Sequence, residues 1–188
     1  VSARRAVARA QIVAEASNYC RSIGNLPPNV LYPKALADRA IAEGRKLGLR
    51  VKVYDEKALK LGKFGGLLAV GSGSAQPPRL IVLEHRGGRK GDRPLAFVGK
   101  AITFDKGGIS IKPAANMEEM VFDKCGGMAV LGAMVAVAKL KVKRNIVGVI
   151  ASAENMPSAT AYRPGDIVTT YDGTHIEIIN TDAEGRVV

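Results

Sequence analysis

The sequence is poor in the residues on which several common sites depend: it has two cysteines, two histidines and no tryptophan among 188 residues. Cys20 and Cys125 are too few for a disulfide framework, which fits a reducing compartment. His85 and His175 show neither an HExxH motif nor a paired spacing, so the sequence does not support a histidine-based zinc site. Aromatic residues make up only 5% of the chain, so an aromatic platform that stacks single-stranded nucleic acid is not expected.

The sequence also lacks an unbroken apolar run of the roughly 18 residues that a membrane-spanning helix requires. The segment VSARRAVARAQIVAEAS alternates basic and apolar residues and does not resemble a secretory signal. It begins without an initiator methionine, so we expect that an upstream segment was removed or not included. Together with the low cysteine content, these features predict a cytoplasmic protein without membrane association.

Three familiar nucleotide-binding or catalytic motifs are missing. The pair Gly99-Lys100 is followed by Ala101 rather than by Ser or Thr, which excludes a P-loop. The segment GSGSAQ lacks the third glycine of a dinucleotide fingerprint, and no serine lies in a GxSxG elbow. Cys125 precedes a glycine pair near the start of a predicted helix, where a thiol activated by the helix dipole is one interpretation and a small packing residue is the favoured one.

What the sequence has in excess is positive charge: 28 lysines and arginines outnumber 17 acidic residues, for a net charge of +11. This surplus is compatible with an acidic partner such as nucleic acid. A basic, well-solvated surface is the more ordinary interpretation, because the basic residues are spread along the chain without a dense block. Both interpretations stay open at this point, with the second favoured.

Apolar periodicity indicates that helices and strands alternate along the chain, which is 47% hydrophobic. This order predicts one α/β domain, with three layers, α/β/α, around a central mixed sheet. The near-continuous apolar runs at 95–98 and 146–150 favour central positions for their strands. The predicted helices are 3–23, 34–47 and 123–140 with a short one near Lys57, the predicted strands are 49–55, 79–85, 95–100 and 145–155, and a hairpin is predicted within 165–182.

Four carboxylates lie on three segments that follow predicted strands or begin a predicted helix. Taken singly, each has an ordinary interpretation: Asp123 as a helix cap, Asp105 in a turn, and the pair Asp182 and Glu184 in a solvated loop. Taken together at the carboxyl ends of strands, they look like the oxygen ligands of a two-metal hydrolytic site. Carboxylates suit Mg, Mn and Zn among the divalent ions.

Lysines and paired glycines accompany these carboxylates in the segment VGKAITFDKGGISIKP. Lys100 and Lys112 can polarise a carbonyl or stabilise an oxyanion. Gly107 and Gly108 allow the backbone to approach a metal or a substrate closely. The combination predicts a catalytic rather than a purely structural site.

Several segments, in their order along the chain, resemble the leucyl (cytosol) aminopeptidase family of di-metal exopeptidases. They are NLPPNVL, VGKAITFDKGGISIKP with NMEEMVFD, ENMPSATAYRPGDIV and NTDAEGR, and the resemblance covers essentially the whole chain. It implies a metal-dependent aminopeptidase that releases N-terminal amino acids from peptides. It also implies two divalent metal ions, manganese or zinc with magnesium as a further option, and a metal-bridging water as the nucleophile.

The resemblance implies a role for each matched residue. Lys112 matches the catalytic lysine, which polarises the scissile carbonyl or holds the tetrahedral oxyanion. Arg186 matches the arginine that holds a bicarbonate ion acting as general base. Because Lys100 can ligate a metal only as a neutral amine, its pKa must be strongly depressed by metal charge and burial. The implied metal ligands are Lys100, Asp105, Asp123, Asp182 and Glu184, with Asp182 also contributing a backbone carbonyl.

Two positions depart from the family pattern. Lys106 stands where a small hydroxyl residue is usual, and Ala101 stands where glycine is common. Lys106 adds positive charge next to an implied metal ligand, which would weaken metal affinity or tune it.

The resemblance also implies how much of a protein this chain represents. Family members have a smaller N-terminal domain before this region and a continuation after it that builds much of the substrate pocket. We therefore expect residues 1–188 to be the N-terminal portion of the catalytic domain, with a sheet truncated on its C-terminal side. The exposed apolar edges of such a sheet are expected to favour association. We expect this portion to have little or no activity by itself. The full-length protein is expected to be a hexamer. A DNA-binding protein that uses the same fold and its basic surface is the alternative, since some family members also bind DNA.

Overall fold

The structure, a computed structural model, describes residues 2–188, in which helices and strands alternate. Its helices are α1 (Ala3–Gly24), α2 (Pro33–Leu47), α3 (Glu56–Leu61), α4 (Gly65–Gly71) and α5 (Cys125–Lys139). Its strands are β1 (Arg50–Tyr54), β2 (Arg79–Arg86), β3 (Leu95–Asp105), β4 (Asn145–Asn155), β5 (Ile167–Thr169) and β6 (His175–Glu177). Two 3₁₀ helices, Met117–Phe122 and Thr181–Arg186, lie before α5 and after β6.

Four strands form a mixed sheet in the order β1-β2-β4-β3. The pairs β1–β2 and β2–β4 are antiparallel, whereas β3 and β4 run parallel. The predicted central position of the run at 146–150 is confirmed, since β4 lies between β2 and β3. The same prediction for the run at 95–98 is wrong within the part of the chain that the structure describes: β3 lies at the sheet edge and Val98 is 75% exposed. An apolar run indicates burial, but it does not give a strand's place in the sheet.

Helices cover both faces of this sheet, so the predicted three-layer arrangement is confirmed. Alternate residues of a strand point to opposite faces, and β4 shows this directly. Ile146 and Ile150 pack in one core cluster with residues of α1, α2 and α5. Ala151 and Ala153 pack in a second cluster with residues of α3, α4 and the β5–β6 hairpin.

The stretch Met117–Lys139 is long and apolar enough, by length and composition, to cross a membrane. This differs from the expectation drawn from unbroken apolar runs. In the structure the stretch is divided between the first 3₁₀ helix and α5. One side of α5 packs on β3 and β4 and another on α1, and burial on two sides accounts for its apolar composition.

Two elements differ from the predicted ones in extent or existence. β3 continues to Asp105 rather than stopping at Lys100, because Ala101 and Ile102 are fully buried and the strand stays paired with β4. Helix α4 was not among the predicted elements, since its two leading glycines lower helix propensity. Gly66 is required there by close packing: a Cβ at this position would lie 2.1 Å from the backbone oxygen of Val187.

Lys124 is a lysine buried inside this core. Its side chain is fully buried, and its Nζ donates to the backbone oxygens of Leu26 at 3.0 Å and Val121 at 2.5 Å. Burial lowers the pKa of Lys124. The two hydrogen bonds tie the loop that follows α1 to the first 3₁₀ helix, and so they fix the backbone next to Asp123.

Candidate metal centre

The predicted site residues converge because β3 and β4 are parallel and their carboxyl ends meet at one edge of the sheet. Asp105 is the last residue of β3, and Asp123 follows the first 3₁₀ helix. Asp182 and Glu184 lie on the second 3₁₀ helix. Four carboxylates that are distant in the sequence are thereby carried to the same end of the domain.

Three of these carboxylates form a tight group. One oxygen from each of Asp105, Asp182 and Glu184 lies within 4.8 Å of the others. Asp105 and Glu184 are buried, and Asp182 is half-buried. Like charges this close, away from water, are costly unless cations lie between or beside them. The arrangement therefore requires nearby positive charge.

Two lysines supply positive charge from the protein itself. The Nζ of Lys100 lies 2.5 Å from Oε1 of Glu184 and 2.8 Å from Oδ2 of Asp123. The Nζ of Lys112 lies 3.2 Å from Oδ2 of Asp105 and also contacts Oδ1 of Asp182. Each lysine thus bridges two of the four carboxylates.

The pKa values of Glu184 and Asp123 reflect competition between burial and charge. Burial raises the pKa of Glu184, and the charge of Asp105 adds to this while Lys100 opposes it. Burial also raises the pKa of Asp123, and the hydrogen bond and charge of Lys100 again lower it. Glu184 and Asp123 are therefore held in a setting that penalises their charged forms unless a cation compensates.

The predicted depression of the Lys100 pKa depends on metal charge as well as burial, and the protein groups alone act in the opposite direction. Burial lowers the pKa of Lys100, but hydrogen bonds and charge attraction to Asp123 and Glu184 outweigh burial, so the net shift is upward. Lys112 shows the same balance with Asp182 and Asp105 as partners. The protein groups alone keep both lysines as ammonium ions, so Lys100 would need a metal charge to displace its proton.

The donor set fits divalent cations. The Oε2 atom of Glu184 is buried and has no hydrogen-bond partner within residues 2–188. An unpaired buried carboxylate oxygen is expensive in a structural role and is suited to a metal ligand. Carboxylates in such a group are the ligands of magnesium and manganese, and zinc also accepts them.

Arg186 is placed apart from this cluster. It lies at the end of the second 3₁₀ helix and is exposed. Within residues 2–188, the ion pairs of the four carboxylates are made by Lys100 and Lys112 and not by Arg186. Gly185, its neighbour, approaches Lys100 closely, since a Cβ there would lie 3.2 Å from Cδ of Lys100. The structure thus brings six of the seven predicted residues into contact, and their roles, like that of Arg186, stay predictions.

Three further residues belong to the cluster and were not predicted. Asn155, Thr181 and Tyr162 form hydrogen bonds beneath the carboxylates, and all three are buried. Burial raises the pKa of Tyr162, with the charges of Glu184 and Asp105 adding to the effect. Asn155 and Tyr162 lie in the segment ENMPSATAY, whose resemblance to family members gave no role for either residue.

The fold and this cluster define a three-layer α/β/α domain of the kind found in metal-dependent hydrolases. Residues 18–188 match the model of the cytosol aminopeptidase family, catalytic domain. The chain belongs to the cytosol aminopeptidase family, which confirms the resemblance found in the sequence.

Individual relatives show the extent of the similarity. A probable cytosol aminopeptidase of Pseudomonas syringae pv. tomato is 55% identical over 185 residues, which are 98% of this chain and 37% of the relative. The corresponding protein of Cenarchaeum symbiosum is 49% identical, over 100% of this chain and 38% of its own length. The chain therefore spans well under half the length of these relatives.

Solved structures agree with the fold. The bottromycin maturation enzyme BotP in complex with Mn superimposes with a TM-score of 0.93 at 41% identity, covering 100% of this chain and 40% of that one. Leucyl aminopeptidase from Leishmania major in complex with actinonin gives a TM-score of 0.91 at 32% identity, covering 96% of this chain and 36% of the other.

Proposed function

We propose that the protein is a metal-dependent aminopeptidase that releases N-terminal amino acids from peptides. The observation that carries this proposal is the group of carboxylate oxygens from Asp105, Asp182 and Glu184, which lie within 4.8 Å of one another. Membership of the cytosol aminopeptidase family supports it. So does the similarity to a manganese-containing relative.

Two divalent ions would be held by the four carboxylates, with Lys100 as a further ligand once its Nζ has lost its proton. Such ions polarise the scissile carbonyl and lower the pKa of a water molecule. Manganese is the first ion to test, because a relative's structure contains it. Zinc and magnesium are the other candidates.

Lys112 and Arg186 would perform the remaining steps. The raised pKa of Lys112 keeps its Nζ protonated, so this side chain can donate a hydrogen bond to the carbonyl oxygen as negative charge develops there. Arg186 would hold a bicarbonate ion that accepts a proton from the attacking water. Its exposed position leaves the guanidinium accessible to such an anion.

The same proposal extends to the whole protein. Residues 1–188 would form the N-terminal portion of the catalytic domain, and most of the substrate pocket would come from outside this portion. We propose a cytoplasmic location, peptide substrates and a hexameric assembly for the complete protein. The relatives' name, cytosol aminopeptidase, supports the first two.

Hydrolysis of leucine amide by the protein at the length of its relatives tests this function. We expect hydrolysis after addition of Mn²⁺ or Zn²⁺ and none after chelation, because the metal activates the water. The double change Asp182→Ala with Glu184→Ala should remove the activity. Activity without metal, or full activity of the double variant, would contradict the proposal.

Binding of duplex DNA is a second candidate function, and one feature of the structure favours it. The β2–β3 loop and the α5–β4 loop meet at the end of the sheet opposite the metal centre, where two open clefts of about 460 and 430 Å³ lie side by side. Basic side chains outnumber acidic ones there, with Arg50, Arg86, Arg89, Lys90 and Lys141 against Glu84 and Asp92.

We expect weak binding to duplex DNA that declines steeply as salt concentration rises, because phosphate contacts release counterions. Changing Arg89 and Lys90 to glutamate should remove the binding, whereas Lys57→Glu, at an exposed position of α3, should have little effect. The electrophoretic mobility of the DNA at low and at moderate salt measures the salt dependence and the effect of each variant. No retention at low salt would argue against this second function.

A further inference from the structure

Asn155 connects two of the segments that carry the carboxylates. It is the last residue of β4 and is fully buried. Its Nδ2 donates to Oδ1 of Asp105 at 2.9 Å and to the backbone oxygen of Thr181 at 2.9 Å. One amide group therefore spans the end of β3 and the start of the second 3₁₀ helix.

On the β3 side, the amide of Asn155 determines which oxygen of Asp105 faces the cluster. Oδ1 of Asp105 also accepts a hydrogen bond from the backbone N–H of Gly107 at 2.8 Å. With two donors on Oδ1, the carboxylate plane is fixed and Oδ2 is directed toward Lys112, at 3.2 Å. Loss of the amide would leave Oδ1 of Asp105 with a single donor, the N–H of Gly107.

On the 3₁₀ helix side, the amide holds the residue before Asp182. The backbone oxygen of Thr181 accepts a second hydrogen bond from the hydroxyl of Tyr162 at 2.8 Å. The hydroxyl of Thr181 donates to the backbone oxygen of Gly107 at 2.6 Å and accepts from the N–H of Ser110 at 2.8 Å. Thr181 is thus pinned from several directions, and Asp182 follows it directly.

The orientation of the Asn155 amide is set by its two acceptors, and Gly108 leaves room for it. Gly108 lies against it at a φ of +65°, and a Cβ on Gly108 would be 2.8 Å from Oδ1 of Asn155. Only glycine tolerates both this backbone conformation and this proximity. A turned amide would place Oδ1 of Asn155 against the carboxylate of Asp105 and the carbonyl of Thr181, so Nδ2 faces these two acceptors and Oδ1 has no partner among residues 2–188.

We propose that Asn155 is a positioning residue of the metal centre: its amide sets the separation and orientation of Asp105 relative to Asp182 and Glu184. This role rests on the proposed metal site. Outer hydrogen-bond partners of metal ligands orient those ligands, and their loss typically costs about 10–100-fold in metal affinity. Asn155 differs from an ordinary partner in serving two ligand-bearing segments at once.

The test is Mn²⁺ titration of the wild type and the variant Asn155→Leu, which removes both donors and keeps a similar side-chain shape. We expect the dissociation constant for Mn²⁺ to rise about 10–100-fold. Tyr162→Phe is the matched control, because it removes one donor to Thr181 and leaves the link to Asp105. It should raise the constant by less than about tenfold.

Folding and binding are separated by measuring at a temperature where the metal-free variant has the far-ultraviolet circular dichroism of the wild type. If Asn155→Leu does not fold, Asn155→Ser, which retains one donor, is judged by the same criterion. A folded variant with wild-type Mn²⁺ affinity overturns the role of Asn155. A wild type that binds no Mn²⁺ instead overturns the metal centre itself.

Discussion

Replacing Glu184 by glutamine is expected to lower the rate of leucine amide hydrolysis by more than about a hundredfold. Loss of a residue that only hydrogen-bonds to a metal ligand typically costs up to about a hundredfold in metal affinity or activity, so a larger loss indicates a direct ligand. Glu184 is almost fully buried, and one of its oxygens has no protein partner. Glutamine keeps the shape but removes the negative charge that a divalent ion requires. Mn²⁺ titration and the rate at saturating Mn²⁺ measure the loss, with the exposed Glu177→Gln as control.

The same change should leave the metal-free protein at least as stable as the wild type. Burial raises the folded-state pKa of Glu184, so its stabilising contribution is present below the unfolded-state pKa and is lost as pH rises through the folded-state value. Glutamine has no charge to bury, so the variant's advantage in free energy of unfolding should grow as pH rises from the unfolded-state pKa of Glu184 through its raised folded-state pKa. A variant that is markedly less stable at pH 8 without metal would show that Glu184 has a structural role instead.

The sequence was sufficient to predict the layers and the carboxylate cluster because both depend on short patterns. Alternating apolar residues gave the strands, and NTDAEGR with FDKGG marked the segments at their ends. The edge position of β3 could not be obtained this way, because strand order depends on pairing between distant segments. Val98 is exposed because β3 lies at the edge of the sheet, and the local composition of the strand does not reveal this.

The supporting residues were not predictable for the same reason. Asn155 acquires its importance only because the parallel register places it opposite Asp105, and no local signal distinguishes it from other buried asparagines. The cluster of positive charge is a similar case. Arg86 to Lys90 and Lys141 are separated in the sequence, and the hydrogen bonds of His85 to Val142 and of Asn145 to Arg89 bring their loops together.

Replacing Lys112 by methionine is expected to lower kcat for leucine amide by about 10²–10³-fold with a small change in KM, the usual cost of removing one donor to a developing oxyanion. The side chain lies between Asp105 and Asp182 and carries a proton. An ammonium ion beside two carboxylates also competes with a cation for them. The variant should therefore bind Mn²⁺ at least as tightly as the wild type while losing turnover.

This separation of metal affinity from turnover distinguishes a catalytic lysine from one that only balances charge. Lys106→Met is the matched control, because Lys106 adjoins Asp105 and its removal takes the same charge from the neighbourhood. The Lys106→Met variant should also bind Mn²⁺ more tightly than the wild type. Its kcat should stay within about a few-fold of the wild-type value, because changes to surface charges usually have small energetic effects. If Lys106→Met and Lys112→Met reduce kcat equally, the charge and not the position of Lys112 is what the reaction uses. If Lys112→Met weakens Mn²⁺ binding by as much as it lowers kcat, its Nζ holds the carboxylates in place rather than serving the carbonyl oxygen.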